Sequence, residues 1–295
     1  MTKDSDPEKA KAESLDELIE SASQKLAAYD FEQVIKELNS VFNNSFLNDD
    51  QLGKALQMRS EAFLEMSLFD HAKNDLVRLF ELEIASPSQK IYAALSLSQL
   101  HNGEESLEFY NKALFFISRN DVEYRDELIA SVWTSVAELY MTDLCEENDA
   151  ESKCREAISL ALSSVPMHFD ANRVAAEFSI IVGKIEDAKL YVSKLENYEQ
   201  ASYDSVTGLV KLYIELEMYI DALQVVDYLI QLDDEVLEVW YLAALSSQLA
   251  GLKDDCNEAV NHGINLASRM RLTTDYVDEE LVEALKIISM NLVKN

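Results

Sequence analysis

Carboxylates are the groups in this chain with the greatest capacity for chemistry. The 295 residues include 55 Asp and Glu against 25 Lys and Arg, which gives a formal charge of -30 at pH 7. Carboxylates can bind cations, transfer protons or hold metal ions. A field of this sign repels nucleic acid and anionic membranes and attracts basic partners. The acidity therefore indicates either a basic ligand or simple solubility, and the positions of the acids must decide between them.

Histidine and cysteine show no spacing typical of an enzyme or a metal site. The four histidines are scattered, and neither an HExxH motif nor a glycine-rich phosphate-binding loop occurs. Cys154 and Cys256 occupy positions of small packing residues, and Cys145 lies among acids that disfavour its thiolate. We therefore expect no enzyme activity, no cofactor and no metal. The odd number of cysteines fits a reducing compartment.

Small residues recur with a period that identifies the elements positioning the acids. Each one opens the second helix of a predicted helix pair. They are Val34, Ala72, Ser106, Cys154, Ala188, Ala222 and Cys256, and the last four are spaced by 34 residues. This is the period of the tetratricopeptide repeat. The motif Trp133-x2-Val136-Ala137-x2-Tyr140 also fits the first-helix signature of that repeat, W-x2-L-G-x2-Y.

The sequence predicts an all-α protein, a right-handed solenoid of about seven tetratricopeptide helix pairs plus a C-terminal capping helix. Six glycines and three prolines leave little material for the turns of a β protein. We expect the solenoid to span residues 14–274, after a polar, disordered lead-in over residues 1–13. The capping helix is expected over residues 275–295, where it covers the exposed face of the last repeat.

Recognition grooves of such repeats are lined by first-helix residues opposite the packing signature. This rule selects Glu61 in repeat two, Glu138 in four, Asp170 and Glu177 in five, Asp204 in six, and Glu238 and Tyr241 in seven. The carboxylates should therefore share one concave surface, although a solvated helix face is the alternative for any single acid. Exposed ion pairs contribute only about 0 to 1 kcal/mol each, so Tyr241 and Met141 are the expected apolar anchors.

Three basic residues also fall at groove positions. They are Lys54, Arg173 and Lys211, in separate repeats and without a paired Asn. Members of this repeat family that dock a heat-shock chaperone grip its C-terminal carboxylate with Lys, Asn and Arg at these positions. The departure from that pattern indicates a groove for cations rather than for an acidic peptide tail.

Repeat four contains an acidic insert, TDLCEEND over residues 142–149, before its second helix resumes near Ala150. The insert is too long for a simple turn between two helices. Asp143, together with Glu138, is a candidate for contact with an Arg or Lys of a client. Alternatively, Asp143 caps the following helix or accepts backbone N–H groups that order the loop.

Three stretches resemble a more specific family. They read ELYMTDLCEENDAESKC over residues 138–154, LYIELEMYIDAL over 212–223 and DDEVLEVWYLAALS over 233–246. They are similar to the fungal assembly chaperone dedicated to ribosomal large-subunit protein four, and YMTDLC with its acidic insert is the most specific element. The likeness is detailed from repeat four to repeat seven, and extends to the N-terminal half only through repeat register. Family members often carry a strongly acidic C-terminal tail, whereas this chain ends in MNLVKN.

The resemblance implies a chaperone that holds a newly made basic ribosomal protein, particularly its long internal loop, until assembly into pre-ribosomes. We expect a monomer before client binding, located in the cytoplasm and nucleus, with no direct nucleic-acid contact. No membrane span is expected, because the longest apolar runs fall far short of about 20 residues. Two other functions stay open, a co-chaperone adaptor for a heat-shock chaperone and a scaffold subunit of a multiprotein complex.

Overall fold

The chain folds into helices joined by short turns. The structure is a computed structural model that describes residues 7–43, 47–273 and 277–294, and every regular element in these ranges is helical. None of the described helices combines the length and the apolar character that crossing a membrane requires. The α-helices are α1 (Pro7–Ala27), α2 (Phe31–Phe42), α3 (Asp49–Glu65), α4 (Phe69–Glu81), α5 (Pro87–Leu100), α6 (Gly103–Arg119), α7 (Arg125–Met141), α8 (Ala150–Ser164), α9 (Phe169–Ile181), α10 (Ile185–Val192), α11 (Tyr203–Glu215), α12 (Tyr219–Leu232), α13 (Leu237–Ala250), α14 (Lys253–Thr273) and α15 (Glu279–Lys294).

Consecutive helices pack as seven pairs, from α1 with α2 to α13 with α14. Most of the connections within a pair are short, so the two helices of each pair run antiparallel. The last helix, α15, packs on both α13 and α14. The predicted all-α fold of seven tetratricopeptide helix pairs and a capping helix is confirmed.

The chain divides into two compact units, Met1–Val165 and Pro166–Asn295. Unit one holds repeats one to four, and unit two holds repeats five to seven with α15. The expectation of one continuous solenoid over residues 14–274 stays a prediction, and its boundary at residues 274 and 275 lies outside the described residues.

The first helix begins earlier than the sequence predicted. The lead-in was expected to be disordered over residues 1–13, but α1 starts at Pro7. The segment PEKAKAE is polar, yet it consists largely of strong helix formers behind a proline at the first helical position. Its polarity therefore does not prevent helix formation, and residues 1–6 lie outside the described residues.

The small residues that set the period are buried in the second helices of the pairs. All seven, from Val34 to Cys256, are at most 3% exposed. Two of them donate to the first helix of their own repeat. Ser106 Oγ donates to Ser98 O at 2.7 Å, and Cys256 Sγ donates to Ala244 O at 3.3 Å. Burial raises the pKa of Cys154 to about 12 and also raises the pKa of Cys256. Both thiols therefore act as small hydrophobic groups.

Five turns between paired helices share one backbone geometry. Each contains a residue with left-handed φ, and these are Tyr29 (60°), Ser67 (58°), Gly183 (74°), Glu217 (60°) and Gly251 (76°). The next residue donates its N–H to a carbonyl five positions back, as Met218 N does to Tyr213 O at 2.8 Å. This is the Schellman ending of a helix. Repeats three and four depart from it, because their turns are residues 101–102 and the acidic insert.

A buried ion pair that the sequence did not reveal joins α3 to α4 in unit one. The Arg59 guanidinium donates to both carboxylate oxygens of Asp75, at 2.7 and 2.8 Å, and Asp75 is 3% exposed. The guanidinium also lies 3.8 Å from the centre of the Phe42 ring. Loss of either partner would strongly destabilise the folded protein, since the other charge would then stay buried alone.

The capping helix docks through a point where a glycine is required. Val282, Leu285 and Ile288 of α15 are buried. A Cβ atom on Gly263 of α14 would lie 2.7 Å from Leu285 Cδ1 and 3.2 Å from Trp240 Cβ. These distances leave no room for a methyl group unless the buried Leu285 side chain or α15 itself shifts.

Gly263→Ala is therefore expected to destabilise unit two by about 1 kcal/mol or more, because overpacking outweighs the gain in helix propensity. Urea unfolding followed by circular dichroism measures this. Gly53→Ala is the matched control, because its Cβ would come no closer than 3.0 Å to the end of the Gln89 side chain. Equal stability changes in the two variants would contradict the close docking of α15.

Candidate functional site

The predicted site residues lie on first helices and on the insert of repeat four. Seven are half-buried, whereas Asp143 and Asp204 are exposed. In unit one, Glu61 is on α3, Glu138 and Met141 are in the last turn of α7, and Asp143 is in the insert. In unit two, the residues are Asp170 and Glu177 on α9, Asp204 on α11, and Glu238 and Tyr241 on α13. That the carboxylates of both units share one concave surface stays a prediction.

Glu61 forms part of an acidic corner in unit one. Burial raises the pKa of the Glu61 carboxyl, and the neighbouring Glu65 raises it further. Burial also raises the pKa of Tyr92 on α5, and both carboxylates add to that effect. Glu61, Glu65 and Tyr92 therefore lie close together where α3 faces α5. A cation placed there would relieve the repulsion between the two acids, so this corner suits a Lys or Arg side chain.

A groove between α1 and α3 was not predicted as a site. Its volume is about 650 Å³, and it combines acids with an apolar floor. The acids are Asp16, Glu20 and Asp50, and the apolar residues are Ile19 and Met58. Lys54 also lines the groove, where its Nζ lies 2.8 Å from Asp50 Oδ2. The sequence signal that points to this groove is the alternation of acids with packing residues along α1.

The insert of repeat four is fixed to the preceding repeat. The Gly103 N–H, at the start of α6, donates to Asp143 Oδ2 at 2.9 Å. Leu144 is buried, and its Cδ2 lies 3.7 Å from the position of a Cβ on Gly103. Asp143 thus connects the two turns that lack the Schellman ending. The geometry gives Asp143 the ordering role, and its contact with a client stays a prediction.

The acids of the insert are partly compensated within the chain. Lys153 Nζ lies 2.9 Å from Glu147 Oε2 and 3.2 Å from Asp149 Oδ1. Hydrogen bonds to Glu147 and Asp149 raise the pKa of Lys153 well above its usual range. The same ammonium lies 5.2 Å from the centre of the Tyr140 ring. The insert is therefore less negative towards a partner than its sequence indicates.

Two predicted acids of unit two bind an internal arginine. Arg173 donates from Nε to Asp170 Oδ1 at 3.2 Å and from Nη1 to Glu177 Oε1 at 2.6 Å. All three residues lie on α9, at spacings of three and four, which place them on one helix face. The sequence placed each of them in the groove but did not pair them.

The α11 and α13 side of unit two is mixed in charge. Lys211 Nζ lies 2.7 Å from Glu238 Oε1, whereas Asp204 is exposed. Burial raises the pKa of Tyr203, and Asp233, Glu238 and Asp204 raise it further. The Tyr203 hydroxyl is buried and finds no hydrogen-bond partner among the described residues.

Together these surfaces can bind cations, although several carboxylates already hold internal ones. In unit two, only Asp204 among the predicted carboxylates is exposed without an ion pair in the described structure. No three His, Cys, Asp or Glu side chains of the described residues are grouped as metal ligands. The arrangement thus suits recognition of a basic chain.

Curated proteins similar to this chain carry one common description. The probable assembly chaperone of rpl4 from Schizosaccharomyces pombe is 31% identical over 207 residues, covering 64% of this chain and 62% of that protein. The protein of the same description from Emericella nidulans is 24% identical over 224 residues, covering 66% and 54%. The chain therefore spans less than two thirds of the length of either relative. No family model matches it. The resemblance predicted from the sequence is confirmed.

Solved structures give the same fold. The assembly chaperone of RpL4 (Acl4) matches with a TM-score of 0.68 and 24% identity, covering 83% of this chain and 99% of that one. A tetratricopeptide repeat protein from Parabacteroides merdae matches with a TM-score of 0.63 and 13% identity, covering 94% and 99%. At these identities the likeness establishes the tetratricopeptide fold alone.

Substitutions at Asp143 separate its two predicted roles. Asp143→Ala should speed hydrogen exchange in residues 142–149 about five-fold, because a net hydrogen bond contributes about 1 kcal/mol. Asp143→Asn keeps an acceptor for Gly103 and should preserve the protection. If the asparagine variant is ordered but binds a basic client more weakly, Asp143 contacts the client; unchanged exchange in the alanine variant would contradict the ordering role.

Proposed function

We propose that this chain is an assembly chaperone that binds newly made ribosomal large-subunit protein four and protects it until assembly into pre-ribosomes. The observation that carries the proposal is the similarity to two curated proteins described as probable assembly chaperones of rpl4. The structural likeness to Acl4 supports it at the level of the fold.

The charge of the chain agrees with such a client. A ribosomal protein presents Lys and Arg side chains that meet RNA phosphates after assembly, and these bind other polyanions beforehand. A partner with a formal charge of -30 can occupy them. The acidic corner at Glu61 and the groove between α1 and α3 are two surfaces of unit one that suit cationic side chains.

Apolar contacts must supply much of the affinity, because exposed ion pairs contribute little. Met141 and Tyr241 are half-buried on first helices and remain the proposed anchors. In unit one, Ile19 and Met58 add an apolar floor beneath the acids of the groove between α1 and α3. The charges would then mainly set encounter rate and selectivity.

The internal ion pairs weigh against the adaptor alternative. Lys54 binds Asp50, Arg173 binds Asp170 and Glu177, and Lys211 binds Glu238. Each cation at a groove position is thus matched by a carboxylate of its own chain, so the groove offers little to an acidic peptide tail. The chain is proposed to act in the cytoplasm and nucleus, as a monomer before client binding and without direct contact to nucleic acid.

The direct test is binding of purified ribosomal protein four from the same organism, measured by isothermal titration. We expect a one-to-one complex, and a loss of at least about ten-fold in affinity when the long internal loop of the client is deleted, because the loop carries the contacts. A basic ribosomal protein of another family serves as the control client. Equal affinity for the two ribosomal proteins would reject a dedicated chaperone, and an unchanged affinity without the loop would move the contact elsewhere on the client.

Association with the client should slow steeply with salt, because exposed charges are screened over about 10 Å at 0.1 M ionic strength. Stopped-flow mixing at low and physiological salt measures the rate constant. The dissociation rate should change less, since apolar anchors depend little on screening. A rate constant that is flat across this range would exclude electrostatic steering.

A further inference from the structure

Arg173 is largely shielded from solvent and binds two carboxylates of its own helix. Its side chain is 15% exposed, while its partners Asp170 and Glu177 are 37% and 30% exposed. The guanidinium is thus less exposed than the two carboxylates that it binds. An approaching ligand finds one oxygen of each carboxylate already occupied.

A glycine on the neighbouring first helix makes room for this arginine. Helices α9 and α11 pack on each other. A Cβ atom on Gly208 of α11 would lie 3.2 Å from Arg173 Cδ and 3.6 Å from its Nη1. A larger residue there would push the Arg173 side chain outward. Helices α9 and α11 together thus form the site that holds the guanidinium, which we call the Arg173 seat.

We infer that Arg173 is a specificity-determining residue, an internal guanidinium that occupies the Asp170 and Glu177 carboxylates and excludes generic polycations from this face of unit two. The inference rests on the proposed function, because it concerns which basic chains the first-helix surface accepts. Without Arg173, the Asp170 and Glu177 carboxylates could bind any Arg or Lys side chain of a ligand.

Competition explains how an internal cation creates selectivity. A tethered guanidinium is present at a high effective concentration, so a ligand cation must displace it to gain the same two bonds. A polycation that offers charge alone gains almost nothing from that exchange. A client that also places apolar side chains on the surface still gains their burial, so its affinity falls less.

The test compares Arg173→Met with the wild-type chain, using labelled decaarginine and ribosomal protein four as probes in fluorescence anisotropy. Decaarginine should bind the variant at least about three-fold more tightly, since each newly available exposed pair adds up to about 1 kcal/mol. Affinity for ribosomal protein four should rise less, so that the ratio between the two affinities falls. Arg173→Lys, which keeps the charge but loses the two-sided contact, should give an intermediate result.

Two controls distinguish the effect of vacating Asp170 and Glu177 from the effect of a changed net charge. Arg155→Met makes the same change in charge at an arginine of α8 that is 48% exposed and lies 2.7 Å from Glu151, so it should raise decaarginine binding less than Arg173→Met does. The triple variant Arg173→Met, Asp170→Asn, Glu177→Asn lacks the vacated carboxylates and should lose the gain. Thermal melting checks the fold of each variant, and Arg173→Lys carries the test if Arg173→Met unfolds.

The outcomes are distinct. If Arg173→Met binds decaarginine no better than Arg155→Met does, or if the triple variant keeps the gain, the inference is overturned. If the wild-type chain does not bind ribosomal protein four, the proposed function fails, while the decaarginine comparison still decides the role of Arg173.

Discussion

Each helix pair of this protein buries a small side chain near the start of its second helix. The seven residues from Val34 to Cys256 occupy this position and are buried. Protein interiors have little free volume, so a larger side chain there would separate the helices. The spacing of the repeats, the direction of the first helices and the placement of their outward-facing acids all depend on this one contact.

Recognition depends on the distribution of charge more than on its total. A formal charge of -30 suggests an acidic surface throughout. The structure instead distinguishes acids that hold Lys54, Arg173 or Lys211 from acids such as Glu61, whose pKa is raised by burial and a like charge. The second kind of carboxylate gains most from an incoming cation. A small number of basic residues is therefore enough to determine which carboxylates can bind a basic chain.

The sequence predicted what is periodic and missed what is specific to one pair of helices. The helix pairs, the capping helix and the start of α8 at Ala150 follow from local spacing and hydrophobic pattern, and all are found. The bond between Gly103 and Asp143 joins residues 40 apart, and the seat of Arg173 requires Gly208 on another helix. Such contacts depend on how neighbouring elements pack, which no period reveals. The helical start at Pro7 differs from the prediction for another reason, because a polar segment rich in strong helix formers still forms a helix.

The turns between paired helices have a consequence for how the repeats fold. Tyr29, Ser67 and Glu217 adopt a left-handed conformation that glycine adopts freely at the equivalent positions of repeats five and seven. Each non-glycine residue costs about 1 kcal/mol in this conformation. A single helix pair buries too little surface to offset that cost. The burial between stacked neighbouring pairs offsets it. A pair that stays folded but loses its neighbours would keep this cost without the burial that offsets it, so the strained turns make neighbouring repeats gain and lose their structure together.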